Sequence, residues 1–167
     1  GYKPHFELMC EHLKRVIQIC KKYNFKPMIW SDMFFHLVFG GYYTDGVIDQ
    51  ELLDMVPEDV ILTYWDYYST DKDKYDRQIK KHLAFKNKIA FAGGAWKWSG
   101  IVPSIDHSMN VTKLALEACR ENGIDMVFTT AWGDNGAEAS IMTILPVLAL
   151  FAEISYSDAD VDQKVSD

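Results

Sequence analysis

Four short stretches of the chain place indole rings beside carboxylates or a cation. They are Trp30-Ser31-Asp32, Tyr64-Trp65-Asp66-Tyr67-Tyr68, Gly93-Gly94-Ala95-Trp96-Lys97-Trp98 and Trp132-Gly133-Asp134-Asn135-Gly136-Ala137-Glu138. That combination suits a pyranose ring, whose C–H face lies on an aromatic plane while its hydroxyls donate to carboxylate oxygens. Phosphorylated ligands fit less well, because Lys97 is the one cation among these positions. The five histidines show no metal-ligand spacing and no Cys-x-x-Cys pair occurs, so neither a metal nor a cofactor is implied. Plainer readings stand beside these. A strand-end Trp can be core packing; Asp32, Asp66 and Asp134 can be helix caps or turn formers. Glu138 can sit in the first turn of a helix, where the dipole favours a carboxylate.

These stretches need a scaffold that brings strand ends to one rim. The tryptophans Trp30, Trp65, Trp96 and Trp132 recur at intervals of 35, 31 and 36 residues, the size of one helix-plus-strand unit. Apolar spacing predicts a helix from His5 to Tyr23, with Phe6, Met9, Cys10, Leu13, Val16, Ile17 and Cys20 on one face. Strands are expected at 26–30, 60–65, 88–92 and 125–131, with helices near 49–55 and 71–85 between the first three. A further helix has Ser108 as its expected N-cap, an inner stripe of Val111, Leu114, Ala115 and Ala118, and Gly123 as its stop. The last helix is expected over 137–154 with a kink at Pro146. No hairpin signal separates the strands, so they form a parallel sheet with right-handed crossovers. A doubly wound sheet fits, though no Gly-rich phosphate turn follows the first strand. Half of a (β/α)₈ barrel also fits, with the active face at the strand C-termini.

Composition narrows the function classes. Seventeen Lys plus Arg against 24 Asp plus Glu give a net charge of −7, which argues against nucleic-acid and anionic-membrane partners. No signal-peptide order opens the sequence and the apolar run 144–151 is too short to span a bilayer, so a cytoplasmic location is expected. Cys10, Cys20 and Cys119 read as small core side chains. The sequon Asn110-Val111-Thr112 falls inside an expected helix and is discounted.

Together the four stretches, from Lys26-Pro27-Met28-Ile29-Trp30-Ser31-Asp32-Met33-Phe34 to Ala131-Trp132-Gly133-Asp134-Asn135-Gly136-Ala137-Glu138, resemble glycoside hydrolase family 20. The nearest branch is the bacterial, hexosaminidase-D-like β-N-acetylhexosaminidases. The resemblance implies an α/β fold, half of a TIM barrel carrying strands five to eight over residues 1–155, followed by a polar tail at 156–167. It implies a retaining hydrolase of terminal β-linked N-acetylglucosamine or N-acetylgalactosamine, in which the substrate's acetamido oxygen attacks the anomeric carbon. The family's Asp-Glu pair would lie before Gly1; no Asp-Glu dipeptide occurs in this sequence, so the chain alone is expected to be inactive. Carried over by motif, Trp30, Trp65 and Trp132 box the acetamido group and the ring. Asp134 stands where many relatives place a Glu for the outer hydroxyls, and Glu138 competes with it. Tyr67, ahead of Tyr64, is expected to hold the acetamido oxygen in place of the strand-seven Tyr, since Trp96-Lys97-Trp98 occupies that position. Asp32 and Trp96 complete the expected substrate-binding set. A non-catalytic half-barrel that binds sugar or a protein partner is the alternative. Exposed barrel edges are expected to drive self-association.

Overall fold

The computed structural model describes residues 3–134, 136 and 138–157. The fold is mixed α/β: four strands, β1 (Met28–Trp30), β2 (Ile61–Trp65), β3 (Ile89–Gly94) and β4 (Val127–Thr130), form one sheet in that order. The strands are parallel and helices alternate with them. Met28 of β1 is level with Ile61 of β2, and Trp30 with Thr63. Steps of four residues along both β2 and β3, Leu62 N–H to Lys88 O and Asp66 N–H to Ala92 O, carry the parallel register onward. The central strands β2 and β3 are buried almost throughout, as their unbroken apolar runs require. Both outer strands are partly open, with Met28 and Trp30 of β1 exposed and all of β4 half-buried.

The chain divides into two compact units, one of residues 1–65 and 77–91, the other of 66–76 and 92–167. In the first unit, α1 (His5–Lys22) buries Phe6, Cys10, Leu13 and Ile17, the narrow part of the predicted stripe. Phe6 packs on Phe34 at 5.6 Å between centroids, and Phe34 on Phe85 at 5.8 Å. Phe34 belongs to α2 (Asp32–Phe39), an element the sequence reading did not anticipate. It starts at the end of β1 and stops at Gly40, whose φ of 71° is the left-handed turn that glycine adopts without a Cβ clash. The expected helix near 49–55 follows as α3 (Gln50–Met55), and α4 (Lys72–Leu83) closes the crossover to β3.

In the second unit, α5 (Ile105–Glu121) packs on α6 (Leu145–Tyr156). Ser108 is not the N-cap of α5. The helix begins after Ser104, preceded by Pro103, and Ser108 lies inside it, donating from Oγ to the Ser104 carbonyl at 2.7 Å. The buried stripe includes Thr112, Leu116 and Cys119, whereas Leu114 is only half-buried. The long last helix is also corrected: Glu138, Ala139 and Ser140 are not helical, a 3₁₀ turn spans Ile141–Ile144, and Pro146 lies in the first turn of α6 rather than at a kink. A missing N–H costs nothing there, because first-turn amides have no intrahelical acceptor. Asn135, the expected helix start at Ala137 and the tail beyond 157 lie outside the described residues.

Candidate functional site

Three of the expected site residues belong to the first unit. Trp30 ends β1 with 38% of its surface exposed, Asp32 opens α2 half-buried, and Trp65 ends β2 half-buried. Because Trp30 is level with Thr63, Trp65 projects one pleat repeat further along the neighbouring strand. Trp65 is clamped on both sides of its backbone. Its N–H donates to the Tyr42 hydroxyl at 3.1 Å, and its carbonyl accepts from the Tyr43 hydroxyl at 3.0 Å. The same two rings meet its indole, at 5.2 Å and 5.8 Å between centroids. Beneath them Ser31 Oγ lies 2.7 Å from His82 Nε2 and 3.1 Å from the Tyr42 hydroxyl. His82 is fully buried, and burial pushes its imidazole down to about 4.

The second unit holds Tyr67, Trp96, Trp132, Asp134 and Glu138. Tyr67 is buried, and its hydroxyl accepts from the indole N–H of Trp132 at 3.1 Å. That bond brings together the residues following β2 and β4. The Tyr67 ring stands edge-on to Trp98 at 5.3 Å, and Trp98 stacks on Trp96 at 5.0 Å and 13°. Gly94 makes this packing possible. A Cβ there would lie 2.7 Å from Trp98 and 2.8 Å from Tyr67, closer than carbon atoms approach. Lys97 is buried, with Nζ 3.4 Å from the Trp132 carbonyl, and so does not offer an exposed cation. His107 donates from Nε2 to the Tyr67 carbonyl at 2.9 Å. Beside Trp96 a cavity of about 530 Å³ is lined by Ser99, Val102, Pro103, Ser104 and His107.

The carboxylates separate into two kinds. Asp66 is 1% exposed; its Oδ1 accepts from the Tyr68 and Ser69 amides at 2.9 and 3.0 Å and its Oδ2 from the Ser69 hydroxyl at 2.5 Å. It is a turn former that aims Tyr67, which resolves the two sequence readings of this residue. Asp134 and Glu138 are exposed beyond Trp132. Glu138 is not in a helix, so its expected alternative role at a helix dipole does not apply; its carboxylate folds back over Gly136.

In the second unit Trp132, Asp134 and Glu138 are exposed, so one indole and two carboxylates are open to solvent there. Among the described residues no group of His, Cys, Asp and Glu is arranged to hold a metal ion, and no helix is long and apolar enough to cross a membrane. Sequence reasoning missed Tyr42, Tyr43, His82 and Trp98 as supports. The doubled Gly40-Gly41-Tyr42-Tyr43 and the second Trp of Trp96-Lys97-Trp98 were the signals that could have found three of them. The sequon threonine Thr112 is buried in α5. No protein-family model matches the chain, and no curated protein does.

Proposed function

We propose that this chain is the sugar-binding half of a β-N-acetylhexosaminidase barrel, supplying strands five to eight of a (β/α)₈ fold. The observation that carries the reading is the hydrogen bond from Trp132 to Tyr67 within an aromatic cluster at the ends of parallel strands. Buried Trp and Tyr packing of this kind leaves indole faces and a polar tip at one rim, the equipment a sugar needs. In the proposed reaction the substrate's acetamido oxygen attacks the anomeric carbon, and a retaining hydrolysis of terminal β-linked N-acetylglucosamine or N-acetylgalactosamine follows. In the second unit Trp132 underlies the ring, Tyr67 holds the acetamido oxygen, and Asp134 or Glu138 receives the outer hydroxyls, with Trp96 beside them. Trp30, Asp32 and Trp65 of the first unit keep the roles that the resemblance gives them. Acid–base chemistry belongs to an Asp-Glu pair that this sequence does not contain.

The second reading is a half-barrel that binds sugar or a partner without turnover. Titration with N-acetylglucosamine and with glucose, followed by tryptophan fluorescence, tests the shared claim. Saturable binding of the N-acetylated sugar alone supports an acetamido-recognising wall, whereas no binding, or equal binding, removes it. Purified chain is expected to leave an aryl N-acetylglucosaminide uncleaved. Turnover by this chain would sink the assignment of acid–base chemistry to a pair outside it. The open strands β1 and β4 make self-association part of the proposal, and a sedimentation result of monomer only would remove it.

A further inference from the structure

The polar groups beneath Trp30 and Trp65 form a chain of donors with one direction. His82 Nδ1 lies 2.7 Å from the Gln78 carbonyl, which can only accept, so Nδ1 carries the proton and Nε2 is the acceptor. Ser31 donates to Nε2 at 2.7 Å, the Tyr42 hydroxyl donates to Ser31 Oγ at 3.1 Å, and the Trp65 amide donates to Tyr42 at 3.1 Å. The Ser31 hydroxyl also donates to the Thr63 carbonyl at 2.8 Å, so its proton is shared between Nε2 and that carbonyl, which receives the Ser31 N–H at 3.0 Å as well.

The upper end of this chain is the backbone of the candidate site. Ser31 is bonded to Trp30 and Asp32, and Tyr42 fixes the amide of Trp65. Its lower end is inaccessible, with Ser31 and His82 at 0% exposure and Tyr42 at 5%. A serine–histidine pair that acts as a nucleophile must meet its substrate, and this one cannot. Phe35 at 4.8 Å and Tyr64 at 4.7 Å hold the imidazole ring in place. The titratable and charged groups about it are Tyr42, Tyr64 and, on its own helix, Lys81.

We propose that His82 is a positioning residue, which through Ser31 and Tyr42 sets the strand ends that present Trp30 and Trp65. What those tryptophans present to rests on the sugar-wall reading; the positioning does not. The test uses the full chain, ¹⁵N-labelled and without ligand, and follows the indole signals of Trp30 and Trp65 and the backbone amide of Trp65. His82→Leu removes the acceptor and fills the space, His82→Gln supplies an amide oxygen near the Nε2 position, and Tyr42→Phe removes one hydroxyl while keeping its ring.

His82→Leu and Tyr42→Phe are expected to move both indole signals and to speed Trp65 amide exchange about fivefold to tenfold, the loss of one net hydrogen bond. The Trp96 and Trp132 signals should stay where they are, and His82→Gln should return the spectrum towards wild type. Unmoved Trp30 and Trp65 signals overturn the proposal. So does equal disturbance of all five tryptophans, which is loss of stability alone. If His82→Leu does not fold, Tyr42→Phe and the His82 ¹⁵N shifts decide, and an Nε2–H tautomer overturns the donor order. A separate titration of wild type with N-acetylglucosamine addresses the wall. No sugar-dependent shift there removes the proposed function and leaves the positioning result standing.

Discussion

The two units hold their strand-end tryptophans by different physics. In the first, Trp65 is gripped by hydroxyls, and the grip continues through Ser31 to a fully buried histidine. In the second, Trp96 and Trp98 stack ring on ring over a glycine that leaves them room, the Trp96 amide and indole donate to the hydroxyls of Ser108 and Ser99, and Trp132 donates to Tyr67. A buried polar chain is directional and fixes one arrangement, but every member must remain in its protonation state. Aromatic packing is indifferent to protons and sensitive to volume. The buried histidine of the first unit should therefore answer to pH, and the Trp96–Trp98 stack of the second to added carbon atoms.

The largest effect is expected on acidification. His82 is neutral in the folded chain, with burial holding it down to about 4, while an unfolded histidine titrates near 6.5. Between those values the unfolded state binds more protons, so stability is fully present above about pH 6.5. It falls as pH drops towards 4, by up to about 3 kcal/mol. Urea midpoints from pH 7 to 4, compared with those of His82→Gln, measure this. A variant with the same pH slope as wild type would remove His82 as the cause and break the contrast between the units.

Gly94→Ala addresses the other side. The added methyl must displace Trp98 or Tyr67, and overpacking of this kind costs about 1–3 kcal/mol. The loss should be the same at pH 7 and pH 5, in contrast to the His82 effect. A near-ultraviolet circular dichroism change with an unaltered pH slope is the expected result. An unchanged spectrum and midpoint would mean that the Trp96–Trp98 stack tolerates a shift and is not volume-limited.

How far the sequence carried the reading follows the same division. The strands were legible, because β2 and β3 are near-continuous apolar runs that end at or just before a tryptophan. Helix α2 was not, because Ser31 to Phe39 is apolar on too many sides for a helical stripe to stand out. The start of α5 was misplaced because two serines four residues apart, Ser104 and Ser108, carry the same capping chemistry. Among the candidate residues, Trp30, Trp65, Trp96 and Trp132 were visible as one type at recurring positions, and Tyr67 as their neighbour. Their supports were hidden: His82 is one of five histidines with no local signal, and it meets Ser31 only after 51 positions of chain have folded back. Asp66 could be either ligand or turn former until its three short bonds to residues 68 and 69 were seen.

A smaller change sharpens the comparison at an element both units share, a tyrosine hydroxyl that accepts from a tryptophan. Tyr67→Phe removes the acceptor for the Trp132 indole N–H and is expected to cost about 1 kcal/mol. Trp132 is 38% exposed, so water can replace the lost partner and keep the loss at the low end. Tyr42→Phe should cost more, because the Trp65 amide is left without its acceptor in a less accessible place. Thermal midpoints of the two variants side by side measure the difference, and equal losses would mean that burial does not separate these two bonds.

The smallest effect on stability is expected at the exposed carboxylates, and there the function is most open to test. Asp134→Asn and Glu138→Gln keep size and remove charge at surface positions, so each should shift stability by no more than about 0.5 kcal/mol. Hydrogen bonds from sugar hydroxyls to a charged oxygen are stronger than those to an amide. The residue that receives the outer hydroxyls should therefore lose N-acetylglucosamine affinity by about tenfold when neutralised, while the other should not. If only Asp134→Asn weakens binding, the shorter side chain reaches the sugar from its place two residues after Trp132. If only Glu138→Gln does, the carboxylate that folds over Gly136 is the one that swings out to the ring. Unchanged affinity in both, with the wild type still binding, would leave recognition to the aromatic faces.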